Sequence, residues 1–192
     1  MVRLNLLVLI MLHKLFPHNH FFVIFKAPNA EELIEYVSKK EEIFETQDWQ
    51  SDCKLKTINC DWDEFMPLLE PSMQEFANHL GKPFEYKLYD PWINYYAKGF
   101  FQETHDHRYV DFASVFFPNT GENFGKFYFK NRDSTSLSPN WCIFDFPDAF
   151  YPDIEAGDIM FFPANELHGV SVHNSDVIRK TLSCNYKINS PL

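Results

Sequence analysis

The chain has 192 residues, the size of one domain that can bury a substantial core without disulfides. Its formal net charge is −10, so the surface as a whole repels phosphate backbones. No basic stripe compensates locally, which excludes nucleic-acid backbones as the expected partner. Aromatic residues make up 18 % of the sequence, with 21 Phe, and their strand-like runs indicate a β-rich core.

The N-terminal stretch Leu4–Leu12 is apolar like the centre of a signal peptide, but no small-x-small cleavage site follows it. It is also too short to span a bilayer, so we expect no membrane partner. A first strand, or residues ahead of a true start near Met11, is the favoured interpretation. The four cysteines show no CxxC spacing, and free thiols in a reducing cytoplasm are expected, although spacing leaves one or two disulfides open.

Helical patterns come first along the chain. After a short strand at Phe21–Phe25, Ala30–Lys40 has apolar residues at helical spacing, with Asn29 as N-cap. A second apolar stripe covers Asp63–Leu80. Two prolines interrupt it, so the more regular helix is expected to start near Pro71.

From Phe84 onward, short apolar runs alternate with turn residues. These runs predict eight strands: Tyr86–Leu88, Trp92–Ala97, His105–Phe117, Lys126–Lys130, Ile143–Phe146, Ile159–Phe162, Val170–Val172 and Arg179–Ile188. Helices followed by many strands favour a β-rich α+β fold, namely a jelly roll with the N-terminal helices packed on one sheet. We expect one domain over residues 1–192, with a helical preface to about residue 82 and a core over about 84–188.

A group of histidines carries the strongest chemical signal. His105 and His107 are one residue apart in a predicted strand, so a regular strand projects both to one face. His168 follows a distant strand and could complete a three-histidine metal cap with open positions for substrate or oxygen. Arg179, eleven residues later, could act as a carboxylate clamp. The combination points to an iron-dependent oxygenase. The remaining histidines receive no functional role: His13, His18, His20, His79 and His173.

Motifs across most of the chain share their order and spacing with a known superfamily. The matching segments are Leu15–Pro17, Trp92–Gly99, His105–His107, Ser114–Phe117, Gly125–Phe129, Ala156–Pro163, His168–Val170 and Arg179–Asn185. In these segments the chain resembles the 2-oxoglutarate- and iron(II)-dependent oxygenases, especially small members from bacteria and their phages. The double-stranded β-helix of that superfamily is a jelly roll, in agreement with the strand pattern.

The resemblance implies that His105 and His168 are iron ligands. The usual middle ligand of the superfamily is an acidic residue two positions after the first histidine, and here that position is His107. A carboxylate would lower the charge of an Fe(II) centre, whereas three neutral imidazoles leave it at +2. Asp106 could replace His107 only if a β-bulge reversed the strand parity.

The resemblance also implies a 2-oxoglutarate site. Arg179 matches the basic residue that grips the far carboxylate of the co-substrate through paired N–H bonds. Thr181 shares its face and could donate a hydroxyl to the same group. Asn94 and Tyr96 are expected to hydrogen-bond the co-substrate, although a core role for the Tyr96 ring fits the pattern equally well.

The resulting hypothesis is an Fe(II)- and 2-oxoglutarate-dependent dioxygenase that hydroxylates a small molecule or peptide. The sequence leaves the substrate and the oligomeric state open. One alternative is a cupin-like three-histidine metalloenzyme that does not use 2-oxoglutarate, but such an enzyme would not need Arg179. Another is a non-catalytic jelly-roll module for binding or assembly.

Overall fold

The computed structural model describes residues 13–16, 20–40, 47–48, 56–132 and 148–191. The apolar stretch Leu4–Leu12 and the expected strand Ile143–Phe146 lie outside these residues, as do two of the cysteines. The other two, Cys60 and Cys184, are buried free thiols.

The described residues form twelve strands and two helices. The strands are β1 (His13–Phe16), β2 (His20–Lys26), β3 (Gln47–Asp48), β4 (Lys56–Asn59), β5 (Phe84–Tyr96), β6 (Gln102–His105), β7 (Phe112–Phe117), β8 (Phe127–Lys130), β9 (Ala149–Phe150), β10 (Asp158–Pro163), β11 (His168–Val170) and β12 (Arg179–Pro191). The helices are α1 (Ala30–Lys40), which confirms its prediction, and α2 (Trp62–Leu80). Within the described chain, neither helix is long and apolar enough to cross a membrane.

The strands form two antiparallel sheets. The larger has the order β1-β2-β10-β7-β12-β5-β4-β3, and the smaller has the order β6-β11-β8-β9. Strands from the N-terminal part of the chain therefore belong to the larger sheet. The smaller sheet contributes two of the three candidate histidines.

Alternating side chains of the larger sheet supply two separate cores, because successive residues of a strand point to opposite faces. On one face, Phe25 and Phe161 pack with helical residues such as Leu33 and Phe76. On the other face, Phe162 packs with Phe127 and other residues of the smaller sheet. The predicted jelly roll with helices packed on one sheet is confirmed.

The expected interruption of α2 by its prolines was wrong. The helix is continuous from Trp62, with the Asp61 carboxylate capping the amides of Asp63 (2.9 Å) and Glu64 (3.3 Å). Pro67 lies on the exposed side, so water can satisfy the carbonyl that lacks its helical donor there. Burial of the opposite apolar face stabilises the helix despite the prolines.

The separation predicted between the strands Tyr86–Leu88 and Trp92–Ala97 was also wrong, because β5 continues through Asp90 and Pro91. The register with β12 shifts there: Ser183 pairs with Trp92, whereas Asn185 pairs with Tyr89. Two residues of β5 thus face one of β12, which is a β-bulge, and a bulge tolerates a proline that cannot donate a ladder hydrogen bond.

The single strand predicted over His105–Phe117 is two strands in different sheets. Strand β6 ends at His105, a turn follows, and β7 begins at Phe112. His107 therefore lies in the turn rather than in a strand. Strand parity is consequently not the reason why His107 faces His105.

Candidate metal centre

Three histidines from distant parts of the chain converge between the sheets. His105 and His168 are directly paired residues of β6 and β11, and one ring nitrogen from each of His105, His107 and His168 lies within 4.8 Å of the others. The His107 amide donates to the Ala164 carbonyl (2.8 Å), which ties its turn to the β10–β11 connection. The spacing of these nitrogens suits a shared metal ion.

The hydrogen bonds of two histidines leave their Nε2 atoms available as ligands. Nδ1 of His105 lies 2.9 Å from the Glu103 carbonyl oxygen, and Nδ1 of His168 lies 2.8 Å from the Glu166 carbonyl oxygen. A carbonyl only accepts, so each Nδ1 carries the proton and each Nε2 keeps its lone pair. Metal-binding histidines in proteins usually have such a partner on the other ring nitrogen.

Burial keeps all three imidazoles neutral. Desolvation lowers the pKa of His105, and it lowers the pKa of His168 further because that side chain is only 4 % exposed. Desolvation, together with repulsion from His105, lowers the pKa of His107 to about 4. A metal ion therefore displaces no protons from these rings near neutral pH.

We expect the metal-free protein to lose stability as the pH falls from 6.5 to about 4. An unfolded histidine takes up a proton near its ordinary pKa of 6.5, whereas folded His107 resists protonation until about pH 4. The unfolded state thus binds more protons in this window, and the free energy of unfolding decreases. Urea titrations across the window should show a shallower decrease for His107→Gln than for the wild type. Equal slopes would contradict this expectation.

Asp106, the alternative middle ligand, points away from the histidines. Its carboxylate accepts from Nε of Arg108 (3.2 Å) and from Nη2 of Arg132 (2.5 Å). Burial opposes its ionisation, but the hydrogen bonds from Arg132 and Arg108 outweigh that effect and lower the pKa of Asp106. The β-bulge that Asp106 would need in order to point inward is not at this position. Its carboxylate is held by the two arginines instead.

Arg179 lies at the start of β12 with its guanidinium buried at 4 % exposure. It packs over the rings of Tyr96 (4.7 Å to the centroid) and Phe117 (6.0 Å). Within the part of the chain that the structure describes, its Nη1 atom has no hydrogen-bond partner. Burial lowers the pKa of Arg179, yet a guanidinium stays charged near neutral pH. An unpaired buried cation of this kind is costly unless an anion binds to it.

The other three predicted co-substrate residues line the same cavity as Arg179 and the histidines. Tyr96 is paired with Arg179, and Asn94 is paired with Thr181, across strands β5 and β12. Nδ2 of Asn94 donates to the Thr181 hydroxyl (3.3 Å), while Oδ1 of Asn94 has no partner among the described residues. The cavity thus offers further polar atoms to a ligand beside the arginine.

The cavity itself is small. It measures about 20 Å³, which is room for about one water molecule. Arg179 also borders a second cavity of about 390 Å³, beside Phe117 and Lys126. A five-carbon diacid can therefore lie between the histidines and Arg179 only after side chains in the first cavity have moved.

Sequence reasoning missed two residues that contact the histidine cluster. Gln102 is buried, with Nε2 3.4 Å from Nε2 of His105. Glu166, whose carbonyl accepts from His168, is also buried, and its carboxylate lies 2.6 Å from Nδ1 of His20. No motif signalled Gln102, since residues 102 and 105 face opposite sides of a regular strand. The pairing of Glu166 with His20 joins positions 146 residues apart, which spacing does not predict.

A family model matches the part of the chain that contains this site. The model described as "Putative 2OG-Fe(II) oxygenase" matches residues 90–185, which is half of the chain and includes all seven predicted site residues. The chain belongs to the 2OG-Fe(II) oxygenase family. It is therefore an oxidoreductase that uses Fe(II) and 2-oxoglutarate. No curated protein matches the sequence.

Solved structures of oxygenases share the fold at low sequence identity. A 2OG-Fe(II) oxygenase family oxidoreductase from Burkholderia pseudomallei has a TM-score of 0.64 and 14 % identity, with 86 % of this chain and 84 % of that chain covered. A prolyl-4-hydroxylase from Pseudomonas putida has a TM-score of 0.64 and 13 % identity, with 90 % and 95 % covered. HygX from Streptomyces hygroscopicus, with nickel, 2-oxoglutarate and hygromycin B bound, has a TM-score of 0.65 and 11 % identity, with 88 % and 83 % covered.

The residues around the cavity of this oxygenase are suited to bind both Fe(II) and 2-oxoglutarate. Imidazole nitrogens are suitable ligands for Fe(II), and one nitrogen from each of three neutral imidazoles converges here. The unpaired Nη1 atom of Arg179 fits a carboxylate, and the Thr181 hydroxyl, which accepts from Nδ2 of Asn94, still has its own proton to donate. The one departure from the usual ligand set is His107 in the place of a carboxylate.

Proposed function

We propose that this oxygenase hydroxylates a small molecule, with His105, His107 and His168 as the iron ligands. The observation that carries the proposal is that these three neutral imidazoles and the buried, partly unpaired guanidinium of Arg179 border one cavity. A metal-only mechanism has no use for such a cation. This argument favours the oxygenase over the cupin-like enzyme and over the non-catalytic module.

The side chains divide the work of binding. Arg179 would hold the far carboxylate of 2-oxoglutarate, and Thr181, Asn94 and Tyr96, which line the same cavity, would orient it through hydrogen bonds. Iron and 2-oxoglutarate together supply the oxidising chemistry, in which R–H, O₂ and 2-oxoglutarate become R–OH, succinate and CO₂. The aromatic residues around the cavity, among them Phe127 and Phe162, exclude water from the reacting centre.

Three further features belong to this proposal. The substrate is a small molecule rather than a nucleic acid, in keeping with the net charge of −10; HygX, a fold neighbour, was solved with hygromycin B. The buried free thiols of Cys60 and Cys184 support a reducing, cytoplasmic setting. The helical preface and the jelly-roll core act as one domain, since α1 and α2 share a core with the larger sheet.

The test is turnover of labelled 2-oxoglutarate by purified protein with Fe(II), first alone and then with a panel of amino acids, peptides and small metabolites. We expect slow succinate release without a substrate and faster release with the correct one. The control is His168→Ala, which should abolish iron-dependent release. Metal binding without any succinate would favour the cupin-like alternative, and absence of metal binding would favour the non-catalytic module.

A further inference from the structure

Gln102 reaches the metal site because of a β-bulge. Strand β6 pairs with β11 so that His105 faces His168 and Gln102 faces Val170. Three steps along β6 thus correspond to two along β11. The extra residue reverses the alternation and turns Gln102 and His105 to the same cavity.

The Gln102 amide is held by contacts on both of its ends. The Tyr96 hydroxyl donates to Oε1 of Gln102 (2.8 Å), which leaves Nε2 facing His105. Nε2 of His105 carries a lone pair, because its Nδ1 proton is engaged by Glu103. The Gln102 N–H group therefore donates to the nitrogen that a metal ion needs, over a long contact of 3.4 Å.

These contacts form one chain across the cavity. The Arg179 guanidinium packs over the Tyr96 ring, the Tyr96 hydroxyl donates to Gln102, and the Gln102 amide donates to His105. The chain runs from the proposed carboxylate clamp to a proposed iron ligand, through the space of about 20 Å³ that a co-substrate must enlarge. A metal ion that binds His105 and an anion that binds Arg179 would each change the contacts of Gln102.

We propose that Gln102 is a positioning residue that couples metal binding to 2-oxoglutarate binding. In the metal-free protein its amide holds Nε2 of His105. When a metal ion takes that nitrogen, the buried N–H groups lose their acceptor and donate instead to a carboxylate of 2-oxoglutarate. The physical reason is that a buried amide without an acceptor is costly, and the three-histidine site offers no carboxylate of its own among the described residues. This inference rests on the proposed function.

The experiment compares the wild type with Gln102→Met, which has a similar length but cannot hydrogen-bond. Calorimetry with Mn(II) alone should show metal binding about fivefold tighter in the variant, because a competing hydrogen bond to His105 has been removed. Titration of the Mn(II)-loaded proteins with 2-oxoglutarate should show binding about fivefold weaker. The matched control is Gln74→Met, an exposed position of α2, which should change neither affinity.

The possible results distinguish the proposed role of Gln102 from its alternatives. Tighter binding of Mn(II) cannot result from misfolding, whereas equal or weaker binding overturns the proposal and points to Gln102 as a ligand or a packing residue. Tighter Mn(II) binding with unchanged 2-oxoglutarate affinity overturns the coupling. Should Gln102→Met fail to fold, Gln102→Asn keeps an amide that is too short to reach His105 and should behave in the same way. A wild type that binds Mn(II) but no 2-oxoglutarate defeats the proposed function, while the metal titrations still test the contact with His105.

Discussion

Replacing Arg179 with Met should weaken 2-oxoglutarate binding by roughly tenfold or more while leaving metal affinity nearly unchanged. The guanidinium is buried, and its Nη1 atom has no partner among the described residues, so a carboxylate would gain a paired, charge-assisted contact there. Truncating one partner of such a buried pair costs about 2–5 kcal/mol. The proposed metal ligands are the histidines of β6, of β11 and of the turn after β6, so the metal should be indifferent to a change in β12.

Calorimetry of Mn(II)-loaded protein with 2-oxoglutarate measures this effect. The matched control is Lys180→Met, which removes a positive charge from the adjacent residue of β12, whose side chain points to the other face. We expect the control to bind 2-oxoglutarate as the wild type does. Equal 2-oxoglutarate affinity in Arg179→Met and in the wild type would remove the main support for the proposed co-substrate site.

Replacing His107 with Ala should lower metal affinity by roughly 100-fold or more. Losing a residue that only hydrogen-bonds a metal ligand costs about 10–100-fold in affinity, and losing the ligand itself should cost more. Asp106→Ala should cost less than about tenfold, since that carboxylate binds Arg108 and Arg132 instead of facing the cluster. Mn(II) titrations of the two variants would decide which of the neighbouring side chains is the middle ligand.

A third variant controls for the possibility that His107→Ala binds metal weakly because it misfolds. His107→Asp places the carboxylate that the superfamily usually has at this position, and a carboxylate is itself a good ligand for iron and manganese. We expect it to bind Mn(II) more tightly than His107→Ala. If Asp106→Ala instead proved the more damaging change, the outward orientation of Asp106 would be incorrect.

Local patterns were sufficient for much of the fold. The helix over Ala30–Lys40 follows from apolar spacing, and the strands around Phe112–Phe117 and Ile159–Phe162 follow from runs of residues that suit a buried sheet. Asn29 precedes this helix as predicted, but its side chain does not cap it: among the described residues its Oδ1 has no partner, and its Nδ2 donates to the Leu68 carbonyl (2.9 Å). These elements were predictable because their hydrophobic period depends only on neighbours along the chain. The effect of the prolines was not predictable, because it depends on packing between distant parts of the chain. The exposed side of α2 and the bulge in β5 that tolerate them exist only after packing.

The sequence by itself determined which residue types are available for the site: HxH at 105–107, a later histidine, and an arginine and threonine on one strand face. Tertiary structure alone decided their arrangement. Strand β6 ends at His105, so His107 arrives through a turn, and Asp106 is held by Arg132, which lies 26 residues away. The bulge between β6 and β11 brings Gln102 beside His105 against the alternation of a regular strand. Such positions follow from pairing between distant strands, whose register no local period along the chain encodes.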